Sequence, residues 1–245
     1  MTLSTATKQK ISLDELNAIF KPLDFVERIR RLYEIFDVDD ILCTSSFGTK
    51  SAFLLYHISE IQPLQKVHFI DTTYHFQETL DYRDTLSAQL GLKVIEVRPE
   101  LVHNAITREE SWWMDHPRMC CTINKIAPLE PIIENHTIWI AGLMGWQTDF
   151  RSRLRIFENQ GDIIKFHPLI DLTEGDFLYY FSLQKLPQHP LEKHGYGSVG
   201  CTHCTRKGEG RSGRWQNTGQ SECGLHPNYF LKQQQVNGVS NDNGV

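Results

Sequence analysis

Short apolar runs alternate with amphipathic segments along most of the chain. In residues 11–36, apolar side chains recur at helical spacing, which predicts two short helices packed on the main domain. From residue 40 onward the pattern predicts strands at 41–43, 67–70, 93–97, 137–141 and 163–167, and helices at 51–61, 76–90 and 173–184. This alternation is typical of an α/β fold with a mostly parallel sheet, and right-handed crossovers then place helices on both faces.

The regular pattern fades after Pro187, where the chain becomes rich in Gly, Ser and Thr. We therefore predict three parts: a helical lead-in at 1–39, an α/β domain at 40–190, and a loop-rich C-terminal segment at 191–245. We expect the last part to be a flexible tail, and functional groups are usually mounted on loops of this kind.

Composition and charge exclude several classes of protein. The 245 residues are 40% hydrophobic and 22% charged, which is typical of a globular protein in water. The net charge of -5 argues against a general nucleic-acid binder, and no apolar run approaches the roughly 18 residues of a membrane span. The polar N-terminus lacks the apolar stretch of a secretory signal. We therefore expect a cytoplasmic protein whose six cysteines are reduced and serve metal ligation or catalysis.

Hydroxyl-bearing residues follow the first predicted strand, where the chain enters the first long helix. Backbone N–H groups and the helix dipole at such a junction attract a phosphate or sulfate. We predict an anion-binding loop formed by Ser45, Ser46, Gly48 and Ser51. The alternative is an ordinary strand–helix turn with a Ser/Thr cap. The loop lacks the Gly-Lys-Ser/Thr ending of a Walker motif.

Four cysteines form two pairs, the adjacent Cys120 and Cys121 and the Cys-x-x-Cys of Cys201 and Cys204. Four thiolates suit zinc or an iron–sulfur cluster. A structural zinc site normally uses two Cys-x-x-Cys pairs, whereas adjacent cysteines on a helix diverge by about 100° and can ligate different irons. The alternative is that Cys120 and Cys121 are buried small apolar residues, as we expect for Cys43 in the first strand, and that the Cys-x-x-Cys pair is unrelated to them.

Cys223 has no cysteine partner nearby in the sequence. It lies between Glu222 and His226, downstream of Arg211 and Arg214. Cations lower the pKa of a thiol and raise its thiolate fraction, which makes Cys223 a candidate nucleophile. An inert thiol on a mobile tail is the alternative.

Several motifs match one known family in order, over about residues 40–226. They are Ser45-Ser46-Phe47-Gly48 with Ser51, Phe69-Ile70-Asp71-Thr72, Cys120-Cys121 with Lys125, Cys201-Thr202-His203-Cys204, Gly210-Arg211-Ser212-Gly213-Arg214-Trp215 and Glu222-Cys223-Gly224-Leu225-His226. With them the chain resembles the assimilatory sulfonucleotide reductases, which reduce adenosine 5′-phosphosulfate (APS) or its 3′-phosphorylated form (PAPS). These have the fold of the adenine nucleotide α-hydrolases.

The four cysteines favour the branch of this family that contains a [4Fe–4S] cluster and reduces APS to sulfite and AMP. In that branch the tail cysteine takes up the sulfonate, and thioredoxin or glutaredoxin serves as the reductant. The implied site residues are Cys223, His226, Arg211 and Arg214 for catalysis, Ser45, Ser46, Gly48, Ser51, Asp71 and Lys125 for substrate binding, and Cys120, Cys121, Cys201 and Cys204 for the cluster. No nucleic-acid or membrane partner is implied, and the sequence is compatible with a homo-oligomer.

Two departures from the family pattern bear on substrate choice. Thr73 stands where the family usually has Gly, so the backbone freedom of that Gly is lost. Both arginines that usually follow the fourth strand are missing from residues 142–148. Three arginines lie just downstream, namely Arg151, Arg153 and Arg155. Either they take the place of the two missing arginines, or they are only surface residues of a strand.

Three other functions stay open. The first is a PAPS reductase on the same scaffold, and the second is a cluster-bearing tRNA thiolase. Lys50 counts against the thiolase, because ATP-cleaving relatives carry there an Asp that helps to hold magnesium. The third is a non-enzymatic iron–sulfur or zinc redox sensor in which Cys223 is merely exposed.

Overall fold

The computed structural model describes residues 12–216 together with Glu222 and Leu225. Within them the chain forms one six-stranded sheet. Its strands are β1 (Ile41–Ser45), β2 (Lys66–Ile70), β3 (Lys93–Val97), β4 (Ile138–Ile140), β5 (Phe157–Gln160) and β6 (Ile163–Phe166). Their order is β3-β2-β1-β4-β6-β5, and every neighbouring pair is parallel except β5 and β6. The predicted mostly parallel sheet is confirmed.

Helices connect the strands and precede them. They are α1 (Leu13–Phe20), α2 (Phe25–Ile35), α3 (Ser51–Ile61), α4 (Gln77–Leu90), α5 (Leu101–Glu109), α6 (Trp112–Asp115), α7 (Pro117–Cys121), α8 (Glu130–Ile133) and α9 (Glu174–Leu183). The helices expected from the apolar spacing are confirmed to within one or two residues at each end. None of the helices in the described residues is both long enough and apolar enough to cross a membrane.

The two faces of the sheet bury different apolar clusters. In β1, Ile41 and Cys43 belong to the larger cluster and Leu42 to the smaller one, as the alternation of side chains along a strand requires. The larger cluster includes side chains of α1, α2, α3, α4 and α9, and the smaller one packs against Ile132 and Ile133 of α8. Helices therefore cover both faces, as predicted.

The helical lead-in packs on the edge strand of the sheet. Side chains of Ser12 and Asp24 cap the first turns of α1 and α2. The Asn17 amide donates to the Phe157 carbonyl at 3.0 Å and accepts from the Phe157 N–H at 3.1 Å. Asn17 thereby satisfies the backbone N–H and C=O groups on the unpaired edge of β5. The lead-in shares one core with the sheet. The division into three parts stays a prediction, and most of the expected flexible tail lies outside the described residues.

Two regions differ from the pattern-based prediction. The sequence does not predict β5, because it is four residues long and turns through Gly161 (φ +64°) directly into β6. Residues 98–136 show no clear period either. They form the short helices α5 to α8 with a π-helix at Thr122–Ile126, and this irregular region carries one of the two cysteine pairs.

Candidate active site

A cleft of about 770 Å³ opens at the carboxyl ends of β1, β2 and β4. Ligands of open α/β sheets usually bind at this edge. Most of the residues predicted for substrate binding and catalysis line the cleft, namely Ser45, Ser46, Gly48, Ser51, Lys125, Arg211 and Arg214. Asp71, which was also predicted to bind substrate, is not part of this lining. Its carboxylate accepts from the Thr73 N–H at 2.9 Å and lies 3.1 Å from Arg98 Nε.

The loop between β1 and α3 is held in a defined shape from within. Phe47 has a left-handed backbone (φ 47°), and its ring is fully buried 5.7 Å from the ring of Phe69. The Phe47 N–H donates to Ser45 Oγ at 3.1 Å, and Ser51 Oγ donates to the Gly48 carbonyl at 2.7 Å. The buried aromatic ring therefore anchors a polar loop at the amino end of α3, where the helix dipole favours an anion.

The same loop is joined to the segment that precedes the Cys-x-x-Cys pair. Thr49 Oγ1 donates to the Gly197 carbonyl at 2.9 Å, and Lys50 forms an ion pair with Glu192. Lys50 therefore has a structural explanation: a carboxylate from the C-terminal segment neutralises it, and the ion pair ties that segment to the anion loop.

All four paired cysteines line one small pocket next to the cleft. Cys120 and Cys121 end α7, while Cys201 and Cys204 bracket a short 3-10 turn. Thr72, Lys125 and Cys201 line both the pocket and the cleft. The structure therefore brings the two cysteine pairs together and puts them beside the predicted substrate-binding residues.

Hydrogen bonds hold the two cysteine segments at this pocket. The Thr202 N–H donates to the Tyr74 carbonyl at 2.7 Å, and Thr72 Oγ1 lies 3.3 Å from Cys201 Sγ. Asn124 Nδ2 lies 3.6 Å from Cys120 Sγ. These polar contacts to sulfur are of the kind that orient and tune metal-bound thiolates.

Burial raises the pKa of two of these thiols. The pKa of Cys120 rises to about 12, first because of burial and then because of the neighbouring Cys121 and Cys201. The pKa of Cys204 rises to about 11, first because of burial and then because of Cys201. Cys120 and Cys204 therefore need a bound cation or cluster to be thiolates at neutral pH, and four cysteines on one pocket are a donor set that fits a thiolate-ligated metal centre. Within residues 12–216, no group of three or more His, Cys, Asp or Glu side chains is arranged to hold a single metal ion.

Aromatic side chains line the pocket, and the sequence analysis did not select them. The ring of Trp113 stacks on His203 with centroids 3.8 Å apart and planes at 9°, and Tyr74 meets His203 edge-on at 5.4 Å. Burial, followed by the charge of Arg206, lowers the pKa of His203. The adjacent tryptophans at residues 112–113, shortly before the double cysteine, are the sequence feature that could have indicated this aromatic lining. Cys43 lies fully buried in β1, as predicted, and burial raises its pKa to about 12.

Arg214 lies at the junction of the cleft and the pocket. Its guanidinium packs against Gly200, where no side chain keeps it away. It donates to the Val199 carbonyl at 3.2 Å and, through Nε, to the Cys204 carbonyl at 3.3 Å. Its charge also lies 4.2 Å from the centre of the Trp215 ring. Gly200 is thus a site residue that the sequence analysis missed, since nothing in a lone glycine indicates what packs on it.

Of the three arginines downstream of β4, one enters the cleft. Arg151 is 5% exposed and lines it. Its Nε donates to Glu222 Oε1 at 2.7 Å. Arg153 instead donates to the Asp149 carbonyl, and Arg155 pairs with an exposed carboxylate of α1.

Residues of the last motif are described in part. Glu222 and Leu225 contact the cleft walls, whereas the predicted catalytic Cys223 and His226 lie outside the described residues. Their roles stay predictions.

Comparisons with known proteins agree on one family. The family model of the phosphoadenosine phosphosulfate reductase domain matches residues 40–207. An adenosine 5′-phosphosulfate reductase of Mesorhizobium japonicum is 39% identical over 87% of this chain and 85% of its own length. One of Bacillus cereus is 33% identical over 92% of this chain and 99% of its own length.

Solved structures show the same fold at lower identity. A phosphoadenylyl-sulfate reductase from Candida auris has a TM-score of 0.69 and 23% identity, covering 84% of this chain and 99% of its own. A Candida glabrata FMN adenylyltransferase has a TM-score of 0.52 and 14% identity, covering 81% of this chain and 69% of its own. The matched span takes in the anion loop and both cysteine pairs, and the curated relatives match along most of their length. The chain therefore belongs to the phosphoadenosine phosphosulfate reductase family.

Proposed function

We propose that the chain reduces APS to sulfite and AMP with electrons from thioredoxin or glutaredoxin. The observation that carries the proposal is the convergence of both cysteine pairs on one pocket that shares Thr72, Lys125 and Cys201 with the cleft lined by the predicted anion-binding loop. Relatives at 39% and 33% identity, each aligned over most of the chain, are named adenosine 5′-phosphosulfate reductases.

The reaction proceeds in three thiol steps. The Cys223 thiolate attacks the sulfur of APS, so that an S–S bond forms while the S–O bond to AMP breaks, and AMP leaves with that electron pair. A thiolate of the reductant then attacks Cys223 Sγ and displaces sulfite. The second thiol of the reductant resolves the mixed disulfide, and the two electrons come from the conversion of its dithiol into a disulfide.

Residues of the cleft bind the substrate and stabilise charge. Ser45 and Ser46 supply hydroxyl groups to the nucleotide anion, and Gly48 gives the loop backbone room to approach it. Ser51 holds the loop in shape, because its hydroxyl donates to the Gly48 carbonyl. Arg214 and Lys125 lie towards the cysteine pocket and neutralise charge shared by the sulfonate and the departing phosphate.

The donor set favours an iron–sulfur cluster over zinc. A single zinc ion needs four ligands around one point, whereas a [4Fe–4S] cluster spreads four thiolates over four irons. The adjacent Cys120 and Cys121 at the end of α7 support the cluster, because side chains one residue apart on a helix diverge by about 100° and can ligate different irons. Cys120, Cys121, Cys201 and Cys204 would hold it, and when bound it would supply structural order beside the cleft, where the charge of the cluster and its thiolates would act on Lys125.

The test is sulfite release by the purified holoenzyme with thioredoxin, measured separately with APS and with PAPS. We expect turnover with APS and an S-sulfonate on the peptide that contains Cys223. Cys223→Ser should abolish both and leave the cluster absorbance near 400 nm unchanged. Cys43→Ala, which removes a thiol buried away from the cleft, is the matched control and should retain turnover. Faster turnover with PAPS would replace the proposed substrate, and retained turnover in Cys223→Ser would refute the nucleophile.

A further inference from the structure

The carboxylate of Glu222 lies between two guanidinium groups. Oε1 accepts from Arg151 Nε at 2.7 Å, and Oε2 accepts from Arg151 Nη2 at 2.8 Å. Oε2 also accepts from Arg211 Nη2 at 2.8 Å, and Oε1 accepts from Thr148 Oγ1 at 3.1 Å. The contact with Arg151 is a bidentate pair, the strongest arrangement of this kind. We call these four residues the Glu222 clamp.

The clamp is largely shielded from water. The side chains of Arg151 and Glu222 are 7% and 9% exposed, and that of Arg211 is 17% exposed. Surface ion pairs contribute little because water screens them, whereas a shielded, bidentate pair resists separation. Two cations face one carboxylate, so the clamp also keeps an excess positive charge at the cleft.

A second contact holds the chain three residues further on. The Leu225 carbonyl accepts from Lys165 Nζ at 2.5 Å and from Gln160 Nε2 at 3.3 Å. The Leu225 side chain packs against the smaller apolar cluster, which includes Trp139. The main chain is therefore attached to the cleft at residues 222 and 225, on both sides of the predicted nucleophile.

We propose that Glu222 is a positioning residue: its clamp attaches the chain to the cleft next to Cys223, so that the thiol is presented to the bound sulfonucleotide. The proposal rests on the proposed function for the identity of the nucleophile. Because consecutive Cα atoms are 3.8 Å apart, the position of residue 222 limits how far from the clamp the next residue can reach. The carboxylate acts through the chain and takes no part in the bond-forming step.

The geometry explains why a carboxylate is required. Each oxygen of Glu222 accepts two hydrogen bonds, and all four donors belong to the clamp residues. Glutamine has the same shape, but its NH2 group would face a guanidinium and could accept nothing from it. Glu222→Gln therefore removes the charge and the hydrogen bonds of one of the two oxygens, with the smallest change in size.

The first measurement needs neither substrate nor turnover. We would follow amide hydrogen exchange by mass spectrometry in the peptide that contains residues 222–225, using the holoenzyme and the full chain. Glu222→Gln and Arg151→Met should both accelerate exchange there, and the double variant should exchange no faster than either single variant. Arg153→Met changes an exposed arginine of the same 3-10 turn and is the matched control. Unchanged exchange in both single variants would refute the clamp.

The second measurement separates positioning from mere attachment. Since a misplacement of about 1 Å can cost on the order of a hundredfold in rate, we expect Glu222→Gln to lower kcat by roughly ten- to a hundredfold with little change in KM. Glu222→Asp keeps the charge and should recover part of the loss. If Glu222→Gln fails to fold, Arg151→Lys tests the same point, because lysine keeps the charge but cannot form the bidentate pair.

The outcomes distinguish this proposal from the proposed function. Faster exchange together with unchanged kcat would refute positioning and leave the reductase activity standing. A protein that clamps the segment but turns over neither APS nor PAPS would refute the proposed function, while the exchange data would still stand as a test of the clamp.

Discussion

Gly200 provides a strong test of how Arg214 is placed. A Cβ atom built on Gly200 would meet Arg214 Cζ at 2.7 Å, well inside the 3.4 Å of ordinary van der Waals contact. These atoms belong to the far end of a flexible side chain, so Gly200→Ala should fold while the guanidinium retreats. The retreat would strain its hydrogen bonds to the Val199 carbonyl (3.2 Å) and to Ser198 Oγ (3.4 Å). The change therefore displaces Arg214 without altering its charge.

The size of the effect follows from that displacement. Moving a charge-stabilising group by about 1 Å can cost on the order of a hundredfold in rate. The nearest atom, Arg214 Nη2, would lie 2.3 Å from that Cβ and must retreat by about 1 Å to reach 3.4 Å. We therefore expect kcat/KM for APS to fall by roughly ten- to a hundredfold, or about 1.4 to 2.7 kcal/mol of transition-state stabilisation.

The assay is steady-state sulfite release by Gly200→Ala, with two comparisons. Gly175→Ala is the matched control, because a Cβ there would meet nothing closer than 3.9 Å, and it should keep full activity. In an Arg214→Met background the Gly200 change should have little further effect, since the group it displaces is gone. Activity of Gly200→Ala within twofold of the unmodified enzyme would refute the reasoning, as would full additivity with Arg214→Met.

Two further predictions concern stability. Thr73 has φ +64°, a backbone conformation that only glycine adopts without strain. Thr73→Gly and Thr73→Ala both lose the hydroxyl that bonds to Asn104. In urea unfolding, Thr73→Gly should therefore be more stable than Thr73→Ala by about 1 kcal/mol. Equal stability of the two variants would contradict the strain. Burial lowers the pKa of His189 from 6.5 to about 4, and its Nδ1 accepts from the Leu191 N–H, so the folded protein keeps it neutral while the unfolded chain binds a proton. The contribution of neutral His189 to the free energy of unfolding is complete above pH 6.5 and is lost as the pH falls towards 4. Between pH 7 and pH 5, the free energy of unfolding should therefore fall by about 1–2 kcal/mol more in the unmodified protein than in His189→Gln.

The fold could be predicted because its strands and long helices carry regular apolar periods. Buried parallel strands give short apolar runs, and the helices between them have one apolar stripe, so both patterns are local. β5 was missed because four residues are too few to show a period, and its partner is known only once the sheet exists. The helices at residues 101–133 were missed because they are short and are fixed by contacts around the cysteine pocket.

The chemistry of the site was predictable where it depends on residue type. From composition and spacing alone, paired cysteines predict metal binding and a Ser/Gly loop predicts anion binding. The partners of Glu222 could not be found in this way, because Arg151 lies 71 residues away and follows no spacing rule. Its neighbours Arg153 and Arg155 are chemically the same, and only the fold selects which of the three faces the cleft.

Thr73 adopts a left-handed backbone although it is not glycine. The backbone freedom of the family's usual glycine is lost there, yet Thr73 has φ +64°. Its hydroxyl donates to Asn104 at 3.1 Å and accepts from Arg108 at 2.9 Å. These bonds offset part of the strain of that conformation in the turn after β2.

The distribution of charge in the cleft indicates where an anion is attracted most strongly. Lys50 is neutralised by Glu192, and Arg151 shares the Glu222 carboxylate with Arg211. In the part of the chain that the structure describes, no acidic side chain forms a salt bridge with Arg214, which donates to backbone carbonyls and a hydroxyl instead. An incoming sulfonucleotide therefore meets the least compensated of these four cations beside the cysteine pocket, which is where the proposed reaction needs the sulfonate. The same reasoning explains why a residue without a side chain stands at position 200: any larger residue would push that cation away from the place where its charge is used.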